Sequence, residues 1–196
     1  RRLDCLTIDE FANIPQSCSP EMIFDVMGYG RPPGTGFDPN LLNHMAQCFE
    51  QSLSMLAHAL SLDLDSVETN GETATATSRV EIAQGAFIEK GTVAAQRITV
   101  SGMRDGKPLL RFRANWYCST QVDPGWTLGE SGWRVVVEGD TPFDISVKLP
   151  ITSGDIAEQM GGYTAHRAVN SVPYVCAARP GIVTVIDLPQ IIARLP

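Results

Sequence analysis

Between Val67 and Leu149 the side chains alternate with a period of two, and this stretch constrains the fold more than any other. Thr73–Ile82 is rich in threonine and valine. The arms Thr92–Ser101 and Leu109–Ser119 flank Asp105-Gly106, a pair suited to a two-residue hairpin turn that needs positive φ. A second hairpin follows the loop Asp123-Pro124-Gly125-Trp126. Trp133, Val135 and Val137 alternate in one arm, and Phe143, Ile145, Val147 and Leu149 in the other, around Glu138-Gly139-Asp140. In the arm Leu109–Ser119, the residues Leu110, Phe112, Ala114, Trp116 and Cys118 share one face, and Arg111, Arg113, Asn115 and Tyr117 the other. A face with two arginines, an amide and a phenol is solvated, or pairs with acids across a dimer, or lines a polar pocket. The third alternative makes Asn115 a candidate binding residue.

Helical patterns flank this block. Arg2–Ile14 alternates loosely and suggests an opening strand with Leu3, Cys5 and either Leu6 or Ile8 inward. Ser19-Pro20-Glu21 is a helix start: a capping serine, proline at the first helical position, an acid in the first turn. The short helix predicted there turns Met22, Ile23, Val26 and Met27 inward and stops at Gly28. Asp38-Pro39 then caps a long helix reaching about Leu62, with Leu41, Leu42, Met45, Cys48, Phe49, Leu53, Leu56 and Leu60 as its main stripe. Roughly 24 residues would span about 36 Å. So wide an apolar surface calls for a sheet on one side and a partner subunit on the other. The predicted architecture is one α+β domain over 1–196, a mainly antiparallel (mixed) sheet with its helices packed on one face.

The last fifth of the chain carries a helix with a defect. Over Thr164–Gly181 the residues Ala165, Ala168, Val169, Val172, Val175, Cys176 and Ala177 recur at helical spacing, yet Pro173 interrupts them. Proline has no N–H for the Val169 carbonyl, so a kink is expected. Asn170 and Ser171 stand where the backbone is already irregular, and His166 lies one turn before Asn170 on the same side. The pattern fits a kinked core helix with Asn170 as a tie to a neighbouring loop, or a kink that aims Asn170 into a pocket. A lead at Gly154-Asp155 to Met160, the pair Gly161-Gly162, the apolar run Ile182–Ile186 as strand or extended segment, and a last short helix over Gln190–Leu195 complete the reading.

Composition removes several function classes. A net charge of −7 leaves no basic stripe for phosphates, which argues against nucleic acid. No run approaches the roughly 18–20 apolar residues of a membrane span. The five cysteines are scattered and without metal-ligand spacing, which fits packing thiols in a reducing, cytoplasmic setting. The opening Arg1-Arg2-Leu3 reads as the start of a fragment. The glycines of GYGRPPGTGFDP invite a phosphate-binding reading, but a dinucleotide fingerprint needs a strand before the glycines and a helix directly after them. Here a helical pattern precedes and two prolines break the loop, so a plain mobile loop is the simpler expectation.

The string GGYTAHRAVNSVPYVCAARPGIVTVIDLP resembles the end of dihydrodipicolinate-reductase-like proteins, in the branch of the 2,4-diaminopentanoate dehydrogenases and NAD(P)-dependent amine dehydrogenases. SPEMIFDVMGYG, the long helix and EKGTVAAQRITVSGMRDGKPLLRFRANW extend the likeness over most of the chain. The resemblance implies the C-terminal substrate-binding and oligomerisation domain of an oxidoreductase acting on C=N or C=O. NADPH or NADH would be bound by an N-terminal Rossmann domain absent here, on which 182–196 packs, and this fragment alone would be inactive. It further implies a small carbonyl, imine or amine substrate, a homodimer or other even oligomer, and a crevice near the MGYG turn. Tyr29, His166 and Asn170 thereby join Asn115 as candidate substrate residues. The family's paired-histidine and Lys-Asp-Ala-Pro-Ser-Gly-Thr-Ala motifs are missing from this sequence, which favours the amine dehydrogenase branch. A standalone ligand-binding or dimerisation module without catalysis is the alternative.

Overall fold

A computed structural model describes residues 2–16, 18–34, 39–82, 85–149 and 156–190. The cap at Asp38, the lead at Gly154-Asp155 and the predicted helix beyond Gln190 lie outside them, as do the side chains of Leu41, Met160 and Thr164. The chain divides into two compact units, Arg1–Leu149 and Pro150–Pro196.

The first unit is built on one sheet. Its strands are β1 (Leu3–Asn13), β2 (Ser66–Ala76), β5 (Val93–Arg104), β6 (Lys107–Tyr117), β7 (Val122–Asp123), β8 (Gly132–Gly139) and β9 (Phe143–Lys148), in the order β7-β2-β5-β6-β1-β8-β9. Two short strands, β3 (Val80–Ile82) and β4 (Ala86–Ile88), pair separately. Every pairing is antiparallel except β1 with β6, so the fold is α+β with a mixed sheet. The hairpin β5–β6 closes through Asp105 and Gly106 at φ 51° and 72°, as the Asp-Gly pair predicts. Its register places Ile98, Val100 and Gly102 against Ala114, Phe112 and Leu110 on one face, and Arg97 and Thr99 against Asn115 and Arg113 on the other.

Helix α1 (Pro39–Ala59) covers the apolar face over β2, β5 and β6. Leu53 and Ala57 are buried against Ile98, Val100, Leu110 and Ala114, with Leu42, Met45, Phe49 and Leu56 packed around them. Phe49 meets the Phe112 ring at 4.7 Å between centroids. The helix stops short of the expected Leu62, and Cys48 of the predicted stripe is exposed. Ser61 takes a left-handed conformation at φ 54°, and the N–H groups of Ser61 and Leu62 donate to the His58 and Ala57 carbonyls. That is a glycine-type helix end built on serine.

The opening helix differs from its prediction. Ser19 does cap it, its hydroxyl accepting from the Met22 N–H at 3.3 Å. Yet Met22–Val26 winds as a π-helix, with the Met27 N–H donating to the Met22 carbonyl. The wider turn rotates the faces, so Ile23 is fully buried while Met22 and Val26 are exposed.

In the second unit, α2 (Ile156–Ala177) runs unbroken through Gly161-Gly162 and holds Pro173 within it. Two interior glycines cost about 1 kcal/mol each, which a helix of 22 residues can absorb. No strand forms over Ile182–Ile186. Ile182 is 98% exposed, and the chain instead turns at Thr184, whose N–H and hydroxyl both donate to the Asp187 carboxylate.

Candidate functional site

The face of the first unit's sheet opposite α1 carries its polar residues. Asp9 on β1 stands beside Arg113 on β6 in the parallel register and beside Arg134 on β8 in the antiparallel one. Arg113 donates to both Asp9 oxygens, Nε at 2.6 Å and Nη2 at 2.7 Å, a fork-on-carboxylate pair. Asp9 is almost wholly buried, whereas Arg113 keeps a third of its side chain in solvent. Arg134 pairs in the same way with Asp144 on β9, but at the surface.

Asn115 is the hub of this face. Its Oδ1 accepts from Arg97 Nε at 2.7 Å, and its Nδ2 donates to the Glu10 carbonyl at 3.1 Å and more weakly to Asp9. With 1% exposure its amide is committed to these bonds, each of which holds a charged neighbour in place. The Arg97 guanidinium also lies 4.2 Å from the Trp126 ring centroid. Burial, and then the field of Arg113, hold its pKa below the ordinary arginine value, while Glu72 and Asp9 oppose that shift. Together Asp9, Phe11, Arg97, Arg113, Asn115, Trp126 and Arg134, with Gly125 and Thr127, line a cleft of about 380 Å³. Of the polar face of β6, Arg113 and Asn115 thus line a cleft, and the acid they meet comes from β1 of the same chain.

Tyr29 lies elsewhere. Gln96 and Arg97 are successive residues of β5 and point to opposite faces. Gln96 Nε2 donates to the Met27 carbonyl beside the Tyr29 turn, while Arg97 holds Asn115. Tyr29 thus sits across the sheet from Asn115, in a core cluster with Ile23, Ala94 and Cys118. Its hydroxyl and the Gln96 Oε1 are buried without a hydrogen-bond partner among the described residues. Burial, then Cys118 and Cys18, push the phenol pKa well up, so it stays protonated.

His166 and Asn170 belong to the second unit. Both are exposed on α2, one turn apart. Pro173 leaves the Val169 carbonyl without its intrahelical donor, and the Ser171 hydroxyl donates to the Arg167 carbonyl at 2.7 Å. In the first unit Asn115 lines the cleft and Tyr29 lies in the core, so these two are not neighbours; His166 and Asn170 stand one turn apart in the second unit.

The residues missed by sequence reasoning are Asp9, Arg97, Trp126 and Arg134. A signal existed for Asp9, because Cys5, Thr7 and Asp9 share one parity on an opening strand and all three are buried. Arg97 and Trp126 carried none, since their meeting depends on how the loop after β7 folds back.

The sequence model of the 2,4-diaminopentanoate dehydrogenase C-terminal domain matches residues 38–195. An amine dehydrogenase of Streptomyces virginiae is 24% identical over 195 residues, covering 95% of this chain and 53% of that protein. The structure of an amine dehydrogenase from Mycobacterium smegmatis superposes with a TM-score of 0.65 at 22% identity, over 99% of this chain and 53% of its own. The chain thus spans about half the length of the relatives it matches, and the last of these likenesses speaks to the fold. With the family match extending over most of both units, the chain belongs to the family of the 2,4-diaminopentanoate dehydrogenase C-terminal domain.

Proposed function

We propose that this chain is the C-terminal, substrate-binding and oligomerising part of a NAD(P)H-dependent oxidoreductase that acts on a small amine and the corresponding carbonyl or imine. The observation that carries the reading is the family match over 38–195. The amine dehydrogenases similar in sequence and in fold agree with it.

The nicotinamide nucleotide does not fit the described residues. Among the described residues no strand runs into a glycine-rich turn that opens a helix. The turn at Gly28 and Gly30 follows the π-helix, and the Gly30 N–H, which a phosphate would require, is spent on the Val93 carbonyl at 2.8 Å. Cofactor binding would fall to a Rossmann domain working with this chain. The chain's own share is to bind and orient the amine-bearing carbon and keep water from it. Asn170 and His166 are the residues proposed to touch substrate. An amide both donates and accepts, which suits an amine and the carbonyl or imine it becomes. Asn115 would hold the polar face rigid, and Tyr29 the wall behind the MGYG turn. Two copies of the chain would assemble into a homodimer.

The test joins the chain to a Rossmann domain of an amine dehydrogenase and follows reduced nicotinamide with a panel of small primary amines. Amine-dependent reduction of NAD+ or NADP+ is expected, with Asn170→Ala lowering kcat while the melting temperature of the chain stays nearly unchanged. Calorimetry of the chain alone with NADH and NADPH should show no specific heat. A dissociation constant of about micromolar for either would overturn the division of labour, and absence of amine oxidation in a folded, cofactor-loaded assembly would overturn the activity.

A further inference from the structure

The cleft on the polar face contains one cation, Arg97, that forms no ion pair among the described residues. Three arginines line it, together with a single carboxylate, Asp9. Asp9 is taken by Arg113 and the outlying Asp144 by Arg134, each through two hydrogen bonds. Arg97 is left. Of its five N–H donors, Nε alone has a protein acceptor among the described residues, and that acceptor is the neutral Asn115 amide. No carboxylate reaches it within ion-pair distance among the described residues, although Glu72 stands opposite it in the register of β2 and β5. The chain as a whole is acidic, at −7, so an unneutralised guanidinium in a concave, half-dry site is a local exception.

The surroundings define what this cation can take. Trp126 lies against the guanidinium and Phe11 forms another part of the lining, so the cleft offers apolar area next to a single positive charge. Asn115 fixes the Nε end of Arg97, which leaves the guanidinium held in place before any ligand arrives, and prior ordering lowers the cost of binding. A planar carboxylate matches a guanidinium fork, and a single negative charge with an apolar body matches one cation beside two aromatic rings.

We propose that the cleft binds a small monocarboxylate, its carboxylate against the Arg97 guanidinium and its apolar body against Trp126 and Phe11. The assignment is independent of the oxidoreductase reading, because it needs neither cofactor nor turnover. Glu72 acts as the competing intramolecular anion, exposed and facing Arg97 across the strand pair.

The test is a titration of the chain with propionate, butyrate and inorganic phosphate at fixed ionic strength. The Arg97 Nε–Hε resonance, assigned through Arg97→Lys, is followed by NMR. Saturable shifts with propionate and butyrate are expected. Arg97→Gln should weaken binding about ten- to a hundredfold, as loss of a charge-assisted hydrogen bond does. Glu72→Gln should tighten it about two- to fivefold, the scale of one exposed ion pair, and being a surface change it should leave the fold intact. Equal, unsaturating shifts with every anion would reduce the effect to screening and overturn the site. Phosphate binding as tightly as butyrate would overturn the carboxylate assignment. A self-association of the chain that Arg97→Gln abolishes would assign the face to a second copy instead.

Discussion

At the scale of single residues, the pair Asp9–Arg113 shows how burial decides what a charge is worth. The Asp9 side chain is 4% exposed and that of Arg113 33%. Breaking a buried pair costs about 3–5 kcal/mol because the surviving charge is stranded. Arg113→Met strands a buried carboxylate whose remaining side-chain donor among the described residues is the Asn115 amide at 3.4 Å, so it should fall near the top of that range. Asp9→Asn strands an arginine that can swing outward, and should cost less, about 1–3 kcal/mol. Urea melts of the two variants check the order, and equal losses would mean that Asp9 is better solvated than its geometry says. Arg134–Asp144, nearly half exposed on both sides, should contribute far less despite the same fork geometry, because solvent screens it. This residue-level asymmetry was not legible in the sequence. Asp9 lies 104 positions from Arg113 and 125 from Arg134, and it is the pairing of β1 with β6 on one side and β8 on the other that brings them together.

At the scale of elements, what could be read was what local rules govern. The Asp105-Gly106 turn, the Ser19 cap and the start of α1 at Pro39 each rest on residues within a few positions of one another. The misses also have local causes. A π turn cannot be told from an α turn by apolar spacing alone, and Ser61 gives no glycine to announce the end of α1. The glycines of α2 announce an end that does not come. Gly102 carries a prediction of this kind. It lies on β5 beneath α1, and a Cβ built there would stand 2.6 Å from Leu64 Cδ1 and 2.9 Å from Leu53 Cδ2. Replacing a strand glycine by alanine ordinarily gains about 0.5–1 kcal/mol of backbone entropy. Overpacking a filled core costs about 1–3 kcal/mol, so the steric term should win and Gly102→Ala should destabilise. The colliding atoms are ends of flexible leucines, and Gly102→Ala combined with Leu64→Ala should recover most of the loss. Thermal melts of the single and double variants decide it, and a single variant more stable than the parent would show that α1 stands off the sheet at this point.

At the scale of the molecule, the apolar residues predicted for the second hairpin are where the pattern placed them, yet among the described residues of the first unit α1 does not extend over them. Trp133, Val135 and Val137 on β8 pair in register with Val147, Ile145 and Phe143 on β9. Through β1 this row continues the face that carries Leu6 and Ile8, the same face α1 covers farther along. α1 reaches β2, β5 and β6, and Phe143, Ile145 and Val147 remain 49%, 51% and 47% exposed. A contiguous apolar row on a sheet is more than a lone surface leucine and marks a contact surface in soluble proteins. The homodimer proposed here should bury that row, and a two-fold interface suits it because each copy presents the same strip to the other. Sedimentation of the chain at increasing concentration should show a dimer, and Ile145→Lys with Val147→Glu should return it to the 21.3 kDa monomer. Both positions lie on the solvent-facing row of an edge strand, so β-structure by circular dichroism should persist in the variant. A monomeric parent at high concentration would count decisively against the assembly, and a dimer that survives both charges would move the interface to another surface.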